Sequence, residues 1–461
     1  MENIRVKEIV EAVNGRLLCG GEETPLKHIS IDSRSMKGAD LFVPLIGEKA
    51  DAHRFLKQAF ENGAAASLTS EHDEPPEEIT GALIRVEDTK KALQDIGRYI
   101  RERLTLPLVG ITGSVGKTTT REMVAAALSA GYRTFKTPAN HNSQVGVPIT
   151  ISEISNEDGI GVLELGMSEP GEMEVIADIA RVDTAVITNI GVTHIENLGS
   201  RENILKEKLH IQDGMKAGGT LFLNGDNDLL QDVKAKEGCS TVYYGLGENC
   251  GYRAVNIAFD NGRPSFDMVH GDTVLPVRLE VMGEHNILNA LAALAVADHY
   301  GVPLKDAAEA LREFDGFKNR QQIYVTGGVT VIDDTYNASP DSMKAGIRVL
   351  ASLEDCRRRI AVLADMKELG ENAPLFHREI GTFLTGQPVD EVVVYGELAE
   401  EIAKGAEGKI KTAVFKEAQK EEMTQYLETL LQEGDAVLFK GSNSMKLGET
   451  AAHFIRRGTM E

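Results

Sequence analysis

Apolar and polar positions divide this chain into three segments of different rhythm. In residues 1–87, short apolar runs at His28–Ile31, Asp40–Leu45, Ala66–Thr69 and Ala82–Val86 read as strands. They surround one helix, Asp51–Asn62, which Gly63 ends, and the acidic, Pro-containing Glu71–Glu78 reads as a loop. Residues 88–104 predict a charged amphipathic helix. From there to about residue 315, the apolar strands Leu106–Ile111, Ile160–Leu165 and Thr184–Ile190 alternate with helices. This is the rhythm of a mostly parallel sheet covered on both faces. Residues 219–281 are richer in strand and turn formers and read as an antiparallel flap. Glu284–Tyr300 is an Ala/Leu-rich helix, apolar around its circumference and therefore buried, with Gly301 at its end. After a linker at Phe314–Asn319 a second alternating series begins, with strands at Val329–Asp333, Ile360–Ala364, Glu391–Tyr395 and Ala436–Phe439. The expectation is an α/β protein of three domains: 1–87, 88–315 and 316–461.

The most informative local pattern lies at the start of the middle segment. A buried strand runs into Thr112-Gly-Ser-Val-Gly-Lys-Thr-Thr119, and a helix with apolar Met123, Val124, Ala127 and Leu128 follows until Gly131. Strand, glycine loop and helix together cradle phosphate: backbone N–H groups of Gly113, Ser114, Val115 and Gly116 close around its oxygens, aided by the helix N-terminus. Lys117 reaches the outer phosphates, Thr118 can hold Mg²⁺, and Thr119 adds a second hydroxyl. The strict pattern wants a further glycine where Ile111 stands. The central domain is thus expected to be P-loop-ATPase-like, and the last one a Rossmann-like α/β unit.

Composition narrows the partners. The 461 residues carry 49 basic and 71 acidic side chains, a net charge of −22, which argues against nucleic acid or an anionic membrane as the main partner. The four cysteines show no metal or disulfide spacing. No signal-like or membrane-spanning apolar run is present, so a cytoplasmic protein is expected.

Further candidates sit at strand ends. Glu164 closes a buried run and is either a Mg²⁺ ligand or an ordinary strand-end acid. His194 follows the next strand and is either structural or a ligand. Ser200 caps a helix carrying Lys206 and Lys208, side chains that are usually solvated. Asn286 and Asn289 open the buried helix; Asn286 reads by default as its N-cap, and adenine-edge pairing is the alternative. The acids Asp333 and Asp334 precede a turn with Asn337, Ser339 and Pro340, which suggests ligand contact. Lys440–Lys446 is a similar strand-end loop, suited to a phosphate or carboxylate or simply to a turn.

Together these residues resemble the Mur ligase family, ATP-dependent amide-forming enzymes of peptidoglycan precursor synthesis, over the whole chain. The family's shortened phosphate loop matches Thr112–Thr118, its strand-end acid Glu164, its histidine His194, its Asn-x-x-Asn pair Asn286 and Asn289, and its third-domain arginine Arg320. Within the family, the dipeptide-adding branch is matched by Asp32-Ser33-Arg34, Leu41–Gly47, Asp51-Ala-His53, Asn140-His-Asn142 through Pro148, Asp333–Ser342 and Leu363–Gly370. The Asp-Asn-Pro-Arg string of the diaminopimelate-adding relative is absent.

The resemblance implies ATP and two Mg²⁺ sites, with UDP-N-acetylmuramoyl-tripeptide and D-alanyl-D-alanine as substrates. It implies catalytic roles for Lys117, Glu164, His194 and a lysine carbamylated by CO₂, for which Lys208 fits the spacing better than Lys206. The metal ligands would be Thr118, Glu164, His194 and the Lys208 carbamate. ATP would meet the loop, Asn286, Asn289, Arg320 and Asp334. Substrate contacts would come from Ser33, Arg34, Gly47, Asp51, His53, Asn140, Asn142, Asn337 and Ser339. A monomer without nucleic-acid or membrane partners is expected. The alternatives are another ligase of this architecture, of folylpolyglutamate or cyanophycin type, and an ATP-gated binding module.

Overall fold

The computed structural model describes residues 1, 3–47 and 50–457. Three sheets of four or more strands organise the chain. The first has five strands, in the order Arg16–Cys19, Ala82–Arg85, Ala64–Thr69, Asp40–Phe42, His28–Ser30. All neighbours are parallel except the first pair. The helix expected at 51–62 is split: Asp51 caps a 3₁₀ turn, Ala52–Phe55, and the α-helix proper is Leu56–Glu61.

The helix Thr89–Arg103 leads into the middle segment, with Asp88 accepting from the N–H groups of Lys90 and Lys91. Its apolar face (Ala92, Leu93, Ile96 and Ile100) belongs to a core continuous between the first and second sheets. Gly97 lies on that face. A Cβ there would sit 2.6 Å from Pro148 Cβ, so only glycine lets the helices approach.

The second sheet has nine strands. Seven are parallel, in the order Tyr252–Asp260, Ser240–Gly245, Thr220–Asn224, Thr184–Ile187, Leu108–Thr112, Ile160–Glu164, Thr134–Lys136. Arg263–His270 and Thr273–Arg278 add antiparallel strands beside Tyr252–Asp260. This corrects the reading of 219–281 as a flap: its first three strands continue the parallel sheet, and only the last two are added to it antiparallel. From Leu108–Thr112 the chain moves toward one edge, and from Ile160–Glu164 it crosses to the other side. The carboxyl ends of these two neighbours thus flank a topological switch point, where open α/β sheets bind ligands.

The third sheet runs Gln322–Thr326, Val329–Asp334, Asp435–Lys440, Arg358–Ala364, Glu391–Tyr395, Lys411–Phe415, parallel after the first pair. Its core takes in Met282, with Val192 and Ile195 packed against it, so the second and third sheets meet through apolar contacts. Among the described residues, no helix is long and apolar enough to cross a membrane.

Candidate active site

The phosphate loop leaves its strand at Thr112 and enters the helix Lys117–Ser129. Gly113 has φ +150°, and a Cβ there would lie 1.9 Å from Thr188 Oγ1; Gly116 has φ +85°. Both positions need glycine. The neighbouring strand end braces the loop. Val115 N–H donates to Asn189 Oδ1 (2.9 Å), Thr188 Oγ1 donates to the Val115 carbonyl (2.6 Å), and Gly191 N–H donates to Ser114 Oγ (2.9 Å). Lys117 folds over the loop, its Nζ 2.8 Å from the Gly113 carbonyl. Burial pushes the Lys117 pKa down; Glu164 opposes this and Arg320 reinforces it.

Glu164 is 2% exposed at the adjacent strand end. Asn142 Nδ2 donates to its Oε1 at 2.7 Å, and Arg121 Nη1 to its Oε2 at 3.2 Å. Arg121 stands one turn beyond Lys117 and also holds Glu122 and the Ala139 carbonyl. Sequence reasoning missed Arg121, Thr188 and Asn189. The i, i+4 spacing from Lys117 was the available signal for the first.

Lys206 is exposed, whereas Lys208 is 1% exposed and its ammonium makes no hydrogen bond or ion pair among the described residues. Burial, reinforced by the charge of Lys117, holds its pKa well below the usual lysine range. Ser200 caps this helix by accepting from Asn203 N–H.

Asn286 does not cap its helix. Glu284 occupies that position, and Asn286 donates from Nδ2 to the Met282 carbonyl while its Oδ1 accepts from Asn289 Nδ2 (2.9 Å). Asn289 Oδ1 in turn accepts from Thr120 Oγ1, linking this pair to the loop helix. The default reading failed because the N-cap competes with a buried network one turn from the loop.

Across the seam, Arg320 stacks on Tyr336 with 4.1 Å to the ring centroid, and its Nε is buried without a hydrogen-bond partner among the described residues. Asp334 pairs with Lys440 (2.7 Å), which also donates to the Asn337 carbonyl. Asn337 is exposed, and Ser339 N–H donates to Ser342 Oγ in a capping arrangement at the helix Pro340–Ala351. A cavity of about 770 Å³ joins these parts, lined by Ser114–Thr119, Asn142, Glu164, His194, Asn286, Asn289, Arg320, Asp334, Asn337 and Ser339.

The remaining predicted residues lie outside that lining. Ser33 is buried on Gln58, and exposed Arg34 makes a two-pronged pair with Asp32. Gly47 N–H donates to the Ala50 carbonyl, and Asn140 is an exposed turn residue. Asp51 and His53 bond each other at 2.6 Å, and His53 Nε2 accepts from Ser70 N–H. With Glu71 they form a group of metal-ligating side chains, yet both imidazole nitrogens are already engaged within the protein.

Three domain families match the chain in order: the Mur ligase family catalytic domain at residues 25–101, the Mur ligase middle domain at 111–297 and the Mur ligase glutamate ligase domain at 319–443. The UDP-N-acetylmuramoyl-tripeptide–D-alanyl-D-alanine ligase of Bacillus subtilis (strain 168) is 38% identical over 98% of both chains. That of Synechocystis is 36% identical over 94% of this chain and 93% of its own. MurF from Acinetobacter baumannii superposes with a TM-score of 0.89 at 30% identity, covering 98% of each chain. MurF from Thermotoga maritima in complex with ADP does so at 0.82 and 28%, covering 94% and 98%. With every part of one family matched in order and full-length relatives above 30% identity, the chain belongs to the Mur ligase family.

Proposed function

We propose that this chain is an ATP-dependent amide ligase that joins D-alanyl-D-alanine to the terminal carboxylate of UDP-N-acetylmuramoyl-tripeptide in peptidoglycan precursor synthesis. Similarity along 98% of the chain to a ligase of that name carries the reading. The cavity shared by the phosphate loop and the strand ends of the third sheet supports it. The segments 1–87, 88–315 and 316–461 are read as the units for the UDP-sugar-peptide, for ATP, and for ATP ribose with the incoming amine. Ser33, Arg34, Gly47, Asp51 and His53 belong to the first unit, away from the chemistry. A monomer working in the cytoplasm, where ATP and UDP-sugars are made, completes the proposal.

A terminal carboxylate oxygen attacks the γ-phosphorus, the bond to ADP breaks, and an acyl phosphate forms. The dipeptide amine attacks its carbonyl, loses a proton, and expels phosphate. Lys117 and the N–H groups at the start of its helix gather the phosphate charge, because the Ser114 and Val115 N–H groups, expected to close around phosphate, are instead taken by Asn189. Arg320, with a buried Nε awaiting an acceptor, serves the nucleotide from the other side of the seam. Covering the site with the third sheet keeps water from the acyl phosphate.

The donor chemistry fits Mg²⁺. Thr118 and Glu164 offer hard oxygen ligands, and each Glu164 oxygen has one protein donor and a remaining lone pair. Bound there, Mg²⁺ supplies positive charge against the phosphate oxygens. His194 and Lys208 are assigned to a second site. A buried lysine without an anionic partner is readily neutral, and a neutral amine adds CO₂ to give a carbamate with loss of a proton.

Phosphate release with UDP-N-acetylmuramoyl-tripeptide, with and without D-alanyl-D-alanine, tests the reading. Release that depends on the amine, with a product heavier by the dipeptide residue mass, is expected. Nucleotide binding without amine-dependent release would instead mark an ATP-gated module.

A further inference from the structure

Two loops distant in sequence meet beside the cavity, which His194 lines. One follows the strand Thr184–Ile187 and carries His194, and the other follows Arg358–Ala364 and carries Glu368. The Glu368 carboxylate forms an ion pair with His194 Nδ1, an atom otherwise buried from solvent. It lies close to the ring nitrogen but off the direction of a linear hydrogen bond. The backbones also join: Glu196 N–H donates to the Glu368 carbonyl at 3.4 Å, and a Cβ on Gly370 would touch Glu196 Cα at 3.5 Å. Ile195, beside His194, packs against the apolar cluster that contains Met366 and Leu369. Both His194 and Glu368 hold left-handed backbones, φ +63° and +64°. These conformations are uncommon outside glycine.

A carboxylate against one imidazole nitrogen selects the tautomer protonated there and leaves the lone pair on the other. We propose that Glu368 is a positioning residue for His194. It holds the ring with Nδ1 protonated and Nε2 as the acceptor offered to the site. Because Glu368 comes from the third sheet, His194 is oriented only when that sheet packs against the middle one. The site on the middle segment is therefore complete only in the packed arrangement. This inference rests on the reading of His194 as a site residue given above.

The test is a mutant cycle on the full-length enzyme, with kcat, KM for ATP and the ¹⁵N shifts of the His194 ring at one fixed pH. His194→Gln identifies the ring signals by subtraction. The Glu368 side chain is about half exposed (52%), so its replacement leaves packing and melting temperature alone. Glu368→Ala is expected to lower kcat about 10- to 100-fold, the usual cost of losing a ligand's orienting partner, with little change in KM for ATP. Its ring signals should move from the Nδ1–H form toward a mixture of tautomers. Glu368→Gln, which retains a carbonyl acceptor, should recover much of the loss. In a His194→Ala background, Glu368→Ala should add nothing. An equal loss in that background would show that Glu368 acts independently of His194 and would overturn the proposal. So would an inactive His194→Ala beside a fully active Glu368→Ala. A fully active His194→Ala would instead remove the reading of His194, and this inference with it.

Discussion

The guanidinium of Arg121 and the carboxylate of Glu164 face each other in the protein interior, Nη1 to Oε2 at 3.2 Å, with 1% and 3% of their side chains exposed. The pair ties the helix that begins at Lys117 to the neighbouring strand end. Lys117 and the strand-end acid Glu164 are thereby held in one frame. Arg121→Met should destabilise the protein by about 3–5 kcal/mol, because it leaves a buried carboxylate without its cation. Arg121→Lys, which keeps the charge but not the forked geometry, should recover part of this. Urea unfolding measures both, and a methionine variant as stable as the parent would show that the pair does not hold this frame.

Arg121 also shows where sequence reasoning stops. The sheets of all three segments were legible because their inner strands carry unbroken apolar runs such as Ile360–Ala364, buried throughout. The strands Arg16–Cys19, Gln322–Thr326 and Lys411–Phe415 were not. They lie at sheet edges, half exposed, and their mixed composition carries no run to notice. In the site, the loop, Glu164 and His194 stood out because chemistry gathers at strand carboxyl ends. Lys206 and Lys208 lie two apart on one short helix. Which of them points inward depends on tertiary packing, which periodicity over nine residues does not resolve. Glu368 meets His194 only through the docking of two sheets, a relation that no local pattern encodes.

Lys117→Ala should abolish ATP-dependent ligation, by at least about 10²–10³-fold, the scale for losing one charge-stabilising donor. Stability should survive, since the Lys117 ammonium bonds only to carbonyls of its own loop. Ligation and thermal melting measured together decide it. A collapsed melting temperature would assign the lysine to structure.

Lys208→Ala should lose most activity, and short carboxylic acids should restore part of it by replacing the missing anion. Lys206→Ala, at an exposed position, should remain near the parent. The reverse pattern would transfer the carbamate to Lys206, and activity in both variants would remove the carbamate from this chain.

His285 sets a pH dependence of stability. Burial pushes its imidazole down to about 4; Asp334 pulls the other way, while Lys440 and Arg348 add to the depression. Between pH 6.5 and 4 the unfolded chain binds a proton here that the folded chain refuses, so stability falls as pH falls through this window and is fully present above it. At 1.36 kcal/mol per pH unit the loss amounts to roughly 3 kcal/mol. Unfolding free energies from pH 7 to 4 should fall less steeply in His285→Gln than in the parent. Parallel curves would show that the ring titrates normally.

Amine choice is the sharpest consequence of the proposed function. In-line attack on an acyl phosphate needs the amine held in place, and binding energy from the rest of the dipeptide supplies that orientation. D-Alanyl-D-alanine should therefore be ligated to UDP-N-acetylmuramoyl-tripeptide far faster than L-alanine, D-glutamate or diaminopimelate when the amines compete at equal concentration. Asn337, itself exposed, lines the cavity on a turn that Lys440 holds through the Asn337 carbonyl. Its side-chain carbonyl accepts from Ala338 N–H, which leaves the amide N–H groups free for a ligand. Asn337→Ala should then slow ligation more than it weakens ATP binding. Product masses from the competition settle the amine: addition of a single residue or of glutamate would refute the dipeptide assignment and leave the ligase chemistry intact. An Asn337→Ala variant that loses ATP affinity and turnover in equal measure would move this turn from the amine to the nucleotide.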